Sequence, residues 1–301
     1  PAARIFAHYH RYFHVCRHTA YLTWHDWRVH WKDFYLPKQT ASIYSEEEIF
    51  KITQEMEEHQ YKYMFEAEDR HWWYVGNHEI FLELLWRKQI LKNGTKILDA
   101  GCGTGKWLAL LAKQPGINAF GIDNNPLAIH YAAKRGLNKL QQADVSTFTS
   151  ACVFDVITSF DVICSNHVNT NDAVKNFRNL LKQNGHLLIT VPAYRFMLSR
   201  HDKVVHQSKR FRKKQVRTLL ESNGFEIIKI SYGICLLFPF AFVRRMFYKV
   251  IKSNNSEHNE VKVPGRFINF TFLLIMRVEK FFLKYFSLPF GLSVMALAKR
   301  K

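Results

Sequence analysis

With 301 residues, 48% of them apolar and 15% aromatic, the chain has the material for a large α/β core with appendages, and it is neither fibrous nor disordered in composition. Its formal net charge of +18 is unevenly spread: residues 199–301 hold 21 Lys/Arg against 6 Asp/Glu, whereas residues 43–198 hold 16 against 17. A near-neutral middle and a cationic C-terminal third point to an anionic partner, either lipid headgroups or nucleic acid.

Residues 1–42 carry six of the fifteen histidines and many aromatics but keep no helical or strand period. They are short of acid like a transit peptide, yet Ser42 is their only serine, and no catalytic or metal-binding role is expected of them. Ser45 followed by Glu46, Glu47 and Glu48 reads as a helix cap with an acidic first turn, and that helix is predicted to reach about Tyr63. A second helix is predicted over Asn77–Leu91. Lys96–Ala100 is a short apolar strand broken by a glycine loop, with a helix at Lys106–Lys113. The alternation continues through strand Ala119–Ile122, helix Pro126–Arg135, strand Leu140–Ala143, strand Phe154–Phe160, helix Ala173–Lys182 and strand His186–Val191. Helix Lys213–Ser222 stops at Asn223-Gly224, and strands Glu226–Tyr232 and Leu292–Ala298 complete the pattern. Strands alternating with helices of about three turns imply βαβ units and a mostly parallel sheet.

The chemistry begins at Ile97-Leu98-Asp99-Ala100-Gly101-Cys102-Gly103-Thr104-Gly105, an apolar strand that runs through Gly-x-Gly-x-Gly into a helix. Glycines let the backbone turn sharply and approach a ligand with no Cβ between, and the helix start offers free N–H groups to a polar ligand. Asp123 lies 18 residues past Gly105, at the end of the second strand, where a carboxylate accepts two ribose hydroxyls in nucleotide-binding βαβ folds. That spacing serves NAD and S-adenosylmethionine alike. Three details favour S-adenosylmethionine: Asp99 stands ready for a cationic ligand, the loop departs from GxGxxG, and Asp144 follows the third strand, where it can accept from an adenine amine.

On these residues the chain resembles the class I S-adenosylmethionine-dependent methyltransferases, in particular the small-molecule and quinone-type C- and O-methyltransferases. The resemblance implies a Rossmann-like α/β fold: a seven-stranded, mostly parallel sheet with an antiparallel last strand and S-adenosylmethionine as cofactor. It also implies roles. Asp99, Gly101 and Gly103 line the methionine part, with Cys102 and Gly105 in the same cofactor-binding loop; Asp123 holds the ribose with Asn124 beside it; Asp144 and Val145 border the adenine; Asp161 lies near the sulfonium. Glu68-Asp69-Arg70-His71-Trp72-Trp73, His201-Asp202-x-x-x-His206-x-x-x-Arg210 and Pro289-Phe290-Gly291-Leu292-Ser293 resemble segments of bacterial members, so the likeness covers about residues 60–301. The chain departs from them at Asn77, where members often have arginine, and after Asp161, where the Glu-His pair is replaced by Val162-Ile163-Cys164-Ser165-Asn166-His167.

A general base helps where the methyl acceptor is a hydroxyl; His167, His201 and His206 are the candidates, with Asp202 as orienter. Trp72 and Trp73 either cover the cofactor or pack in a core, and Tyr194 can reach the site from the fifth strand. The Asn/Asp-Pro-Pro-Tyr signature of amine methylation is absent: Ser159-Phe160-Asp161-Val162 stands there.

Four segments are expected: residues 1–42, of unknown role; 43–232, the catalytic core; 233–288, a helical basic and aromatic insertion; and 289–301, the last strand. The insertion reads as two helices, Ile234–Lys252 and Arg266–Phe286, the first kinked or delayed by Pro239. Their aromatic faces and flanks at Arg244, Arg245, Lys249, Arg266, Arg277, Lys280 and Lys284 have the composition of an interfacial helix. The longest apolar runs, Tyr232–Val243 and Ile268–Met276, fall short of the ~20 residues that span a bilayer. The five cysteines show neither CxxC nor a disulfide spacing and no signal peptide is evident, so a cytoplasmic protein, peripheral at the inner membrane, is expected. The expected activity is methyl transfer to a hydrophobic or lipid-linked small molecule. RNA methylation and a cofactor-binding scaffold without turnover are the alternatives.

Overall fold

A computed structural model describes residues 58–198, 209–250 and 263–301. The sheet and every contact below belong to the larger compact unit, residues 61–252 and 257–301. The N-terminal segment 1–42, the start of the helix predicted from Ser45, and His201, Asp202 and His206 lie outside the described residues.

A helix over residues 58–67 (α1) leads into α2, Trp72–Arg87. α2 starts five residues earlier than predicted because His71, an unusual cap, accepts the Trp73 N–H on Nδ1 at 3.1 Å. Asn269 Oδ1 takes the Trp72 N–H at 2.9 Å, so two first-turn donors are satisfied from outside the helix. Then follow β1 (Lys96–Ala100), α3 (Lys106–Ala112), β2 (Asn118–Asp123), α4 (Pro126–Lys134), β3 (Leu140–Gln142), β4 (Phe154–Phe160), α5 (Thr170–Leu180) and β5 (Leu181–Pro192). The chain ends with α6 (Lys213–Ser222), β6 (Phe225–Gly233), α7 (Phe238–Val250), α8 (Arg266–Tyr285) and β7 (Ser293–Arg300).

The seven strands lie in the order β3-β2-β1-β4-β5-β7-β6. β1 through β5 pair in parallel, and β7 inserts antiparallel between β5 and β6. The strand order reverses between β1 and β4, the place where open α/β sheets form a ligand crevice at the carboxyl ends of their strands. Alternate residues of β1 feed opposite cores. Leu98 and Ala100 join Phe154, Phe177, Leu220 and Phe225. Ile97 joins Leu85, Trp107, Met276 and Leu297.

α7 begins at Phe238, so Pro239 sits in its first turn, where a missing N–H costs nothing and no kink results. α8 lies along α2, with Met276 against Gly76 so closely that a Cβ there would meet Met276 Cβ at 2.8 Å. Glu279 is buried on α8 and accepts the N–H groups of Ile234, Cys235 and Leu236 at 2.5–3.0 Å, tying α8 to the end of β6.

The structure corrects the reading of α8 as a basic-flanked helix. Arg277 and Lys280 both pair with Glu79, and Lys284 pairs with Glu83, at 2.8–2.9 Å. Each exposed pair adds little stability, but together they consume the charge that would face a lipid headgroup. The outward face is instead apolar: Phe267, Phe270, Leu274, Val278, Phe281 and Tyr285 recur at intervals of three and four and range from 83% exposed at Phe267 to 45% at Val278. Among the described residues no helix is long and apolar enough to cross a membrane.

Candidate functional site

All three loop glycines take positive φ, 85° at Gly101, 53° at Gly103 and 82° at Gly105. Their surroundings differ. A Cβ at Gly101 would stand 2.2 Å from Val162 Cγ2, and one at Gly105 would stand 2.8 Å from Ala132 Cβ and 2.9 Å from its Cα. At Gly103 the nearest atoms are Met64 Cε at 3.7 Å and Glu68 Oε1 at 4.0 Å, so the loop opens a cradle there, roofed by α1 and the residue that follows it.

Asp123 ends β2 and ties the loop to it: Oδ2 accepts the Gly103 N–H at 2.9 Å and Oδ1 the Asn125 N–H at 3.0 Å. Asn124 beside it is exposed. Asp144, just after β3, accepts the Ser146 N–H on Oδ1 at 2.7 Å. Val145 is buried, and its carbonyl accepts from Asn176 Nδ2 on α5 at 3.0 Å, which fixes this turn against the helix. Asp161, at the end of β4, adopts φ 57°, a left-handed conformation rare for a residue with a side chain. Its N–H donates to the Thr190 carbonyl at 3.0 Å, and Thr190 Oγ1 donates to its Oδ1 at 3.3 Å. Asp99 is buried and accepts from Thr158 Oγ1 at 2.8 Å, which in turn accepts from Trp107 Nε1 at 3.1 Å.

Arg135, at the end of α4, carries no motif that would single it out from sequence. Its Nε donates to the Thr104 carbonyl at 2.8 Å, and its terminal nitrogens reach the Phe65 carbonyl at 2.7 Å, Glu68 at 3.2 Å and Asp69 at 3.2 Å. Thr104 Oγ1 donates to Glu68, and Lys106 pairs with Asp69. The segment before α2 is thereby latched onto the glycine loop.

Acidic groups crowd this end of the sheet. Burial pushes Asp99 up to about 8, with the Asp123 and Glu68 charges adding to it against the Thr158 hydrogen bond. Burial likewise pushes Glu68 up to about 7 despite Thr104 and Arg135, and raises Asp123 against three backbone hydrogen bonds. Carboxylates held this way favour a positively charged ligand, whose field would restore their ionised forms. With the open cradle at Gly103, that donor set fits an adenosyl sulfonium compound.

Of the candidate bases, His167 is exposed on the loop after β4, with its N–H on Ser165 Oγ at 3.4 Å. Partial burial and the nearby Lys209 charge lower its pKa. Lys209 Nζ is engaged with the carbonyls of Ser165 at 3.1 Å and Val168 at 2.6 Å. Trp72 packs edge-on against Phe272 at 5.3 Å and Trp73 against Tyr74 at 4.7 Å. Asn77, where similar chains often carry arginine, is buried and donates to the Trp73 carbonyl at 2.8 Å. Tyr194 follows β5 at φ 55° and stacks between Phe196 at 5.2 Å and Tyr232 at 5.1 Å. Phe238, Phe242 and Phe290 extend this into an aromatic wall beyond the carboxyl end of β5.

A sheet of this order, with a glycine loop after its first strand and carboxylates at the ends of its first, second and fourth, is a Rossmann-like fold with its ligand crevice at the strand-order switch. Residues 71–230, just over half of the chain, match the methyltransferase domain family, and the chain belongs to it. Over 106 residues it is 34% identical to ribosomal protein L11 methyltransferase of Thermosipho africanus, covering 34% of this chain and 40% of that one. Over 187 residues it is 26% identical to the malonyl-[acyl-carrier protein] O-methyltransferase of a Paenibacillus species, covering 55% and 67%. Against phosphoethanolamine N-methyltransferase 1 of Triticum aestivum, identity is 34% over 107 residues, 33% of this chain and only 21% of the wheat enzyme. The chain thus spans two fifths or less of two of these relatives. Among solved structures, a protein from Galdieria sulphuraria described as a candidate sarcosine dimethylglycine methyltransferase shares the fold at a TM-score of 0.52 and 13% identity, covering 76% of this chain and 86% of that one.

Proposed function

We propose that this enzyme methylates a hydrophobic or lipid-linked small molecule while seated on an anionic membrane surface. The observation that carries the acceptor class is the aromatic wall of Tyr194, Phe196, Phe238, Phe242 and Phe290 beyond β5, with Phe196 and Phe290 more than 40% exposed. Such a surface gains free energy by covering apolar atoms and offers little to a sugar or free amino acid. S-adenosylmethionine supplies an activated methyl group, and the chain's residues position both partners. Asp123 holds the ribose with Asn124 adjacent, and Asp144 and Val145 border the adenine. Asp99 and the loop Gly101, Cys102, Gly103 and Gly105 line the amino-acid end, and Asp161 stands beside the sulfonium. His167, His201 and His206 are the candidate bases, with Asp202 orienting one of them.

The membrane seat rests on the outward stripe of α8 and on basic groups outside the Glu79, Glu83 and Arg217–Glu221 pairs, Lys213 and Lys214 of α6 among them. Wild-type protein is expected to float with phosphatidylserine-containing vesicles, less so at high salt. Phe270→Glu with Phe281→Glu is expected to abolish flotation and leave thermal stability unchanged, since both side chains face outward. Flotation unaffected by the pair, or salt-dependent RNA binding with no flotation, would contradict this seat.

Cofactor binding should depend on pH in a fixed direction. Asp99 and Glu68 hold protons in the folded protein at pH values where the unfolded chain has lost them. They therefore favour folding most below about pH 4, and that contribution fades as pH rises through about 7 to 8. A bound cation favours their ionised forms, so binding expels protons. The affinity for S-adenosylmethionine is expected to rise from pH 6 to about pH 8 and then level. Calorimetry in two buffers of different ionisation enthalpy reads the sign; proton uptake at pH 7 would refute it.

A further inference from the structure

We propose that Glu68, on the segment before α2, is a direct cofactor ligand that receives the ammonium of S-adenosylmethionine's amino-acid end across the Gly103 cradle. The inference rests on the cofactor site assigned above and adds a residue outside the glycine loop and the strand ends.

Four observations carry it. First, Glu68 Oε1 lies 4.0 Å from where a Gly103 Cβ would stand, and among the described residues Met64 Cε at 3.7 Å is the other group within 4 Å of that point. The carboxylate faces the loop where its backbone is least crowded. Second, its placement is rigid. Oε2 takes the Thr104 hydroxyl and lies 3.2 Å from an Arg135 terminal nitrogen, while Arg135 also grips the Thr104 and Phe65 carbonyls and lies 4.0 Å over the Phe65 ring. Groups held on both flanks are preorganised for a ligand and lose little entropy on binding it. Third, Glu68 is a buried carboxylate, 7% exposed, held by the Thr104 hydroxyl, the Lys106 N–H and a guanidinium that Arg135 shares with Asp69 and two carbonyls. Fourth, the Glu68 charge opposes ionisation of the buried Asp99, as the Asp123 charge does, so Glu68 belongs to the same carboxylate cluster as the ends of β1 and β2. A cationic amino-acid end beside Glu68, with the nucleoside toward β2 and β3, meets that cluster.

The test compares three probes by calorimetry with purified full-length protein: S-adenosylmethionine, S-adenosylhomocysteine, and methylthioadenosine, which keeps the nucleoside but lacks the amino acid. Glu68→Gln retains an acceptor for Thr104 and removes the charge. It is expected to weaken the first two at least tenfold and methylthioadenosine less than twofold. Glu68→Asp, which keeps the charge but withdraws it, is expected to fall between wild type and Glu68→Gln for the first two alone, and it serves if Glu68→Gln does not fold. Equal weakening of all three probes would make Glu68 a purely structural cap and overturn the inference, as would no weakening of any. Wild-type protein that bound none of the three would overturn the cofactor site itself, a failure visible before any variant is compared.

Discussion

Asp123→Ala is expected to weaken S-adenosylmethionine binding by about two to four orders of magnitude. Two hydrogen bonds from ribose hydroxyls to one carboxylate are lost, each worth about 1.5–3 kcal/mol where the acceptor is charged, and 1.4 kcal/mol is a factor of ten. The same substitution frees the N–H groups of Gly103 and Asn125, which Asp123 now accepts at 2.9 and 3.0 Å, so the loop loses preorganisation as well. Asp123→Asn keeps one acceptor and is expected to lie between the two. Calorimetric titration measures both, and an Asp123→Ala protein of unchanged affinity would place the ribose elsewhere.

The second large effect separates two neighbouring glycines. Gly105→Ala is expected to cost the fold about 3 kcal/mol. The new Cβ would press on Ala132 Cα at 2.9 Å, which is backbone and cannot swing away, and φ at 82° is left-handed. For a domain of this size that corresponds to a fall in Tm of about 6–12 °C. Gly103→Ala adds a methyl in ordinary contact with Met64 and Glu68 at a φ of 53°, so the folded protein survives with a smaller loss, about 1 kcal/mol. Its methyl group enters the cradle, and cofactor binding is expected to fall at least tenfold. Thermal unfolding with and without S-adenosylmethionine distinguishes the pair: Gly105→Ala should start lower, and Gly103→Ala should lose the ligand-induced rise. The reverse pattern would move the ligand from Gly103 to the Gly105 side.

Much of the sheet was legible because its signals are local. β1, β4 and α6 fall on the residues predicted from apolar runs and from the Asn223-Gly224 stop. Where prediction slipped, a tertiary or unusual partner had intervened. β5 begins at Leu181 rather than His186, since Leu181 pairs with Phe154 ahead of an irregularity that resumes at Val156 with His186, and the intervening Lys182-Gln183-Asn184 shows no strand period. α2 starts early on a histidine cap and a side chain from α8, 197 residues away in sequence. The glycine loop and the strand-end aspartates were visible as a motif, but the latch was not. Arg135 reads as a solvated lysine–arginine helix end, and its partners Phe65, Glu68 and Asp69 lie 66 to 70 residues away. The basic residues of α8 misled for a related reason: composition gives their charge, but only packing against α2 reveals Glu79 and Glu83 opposite them.

The most direct test of the site is the cofactor titration itself. Wild-type protein mixed with S-adenosylmethionine in a calorimeter should bind one equivalent saturably, release protons at pH 7, and be displaced by S-adenosylhomocysteine. Absence of binding, or binding undiminished in Asp123→Ala and Gly103→Ala, would contradict the placement of the cofactor on the loop between β1 and α3.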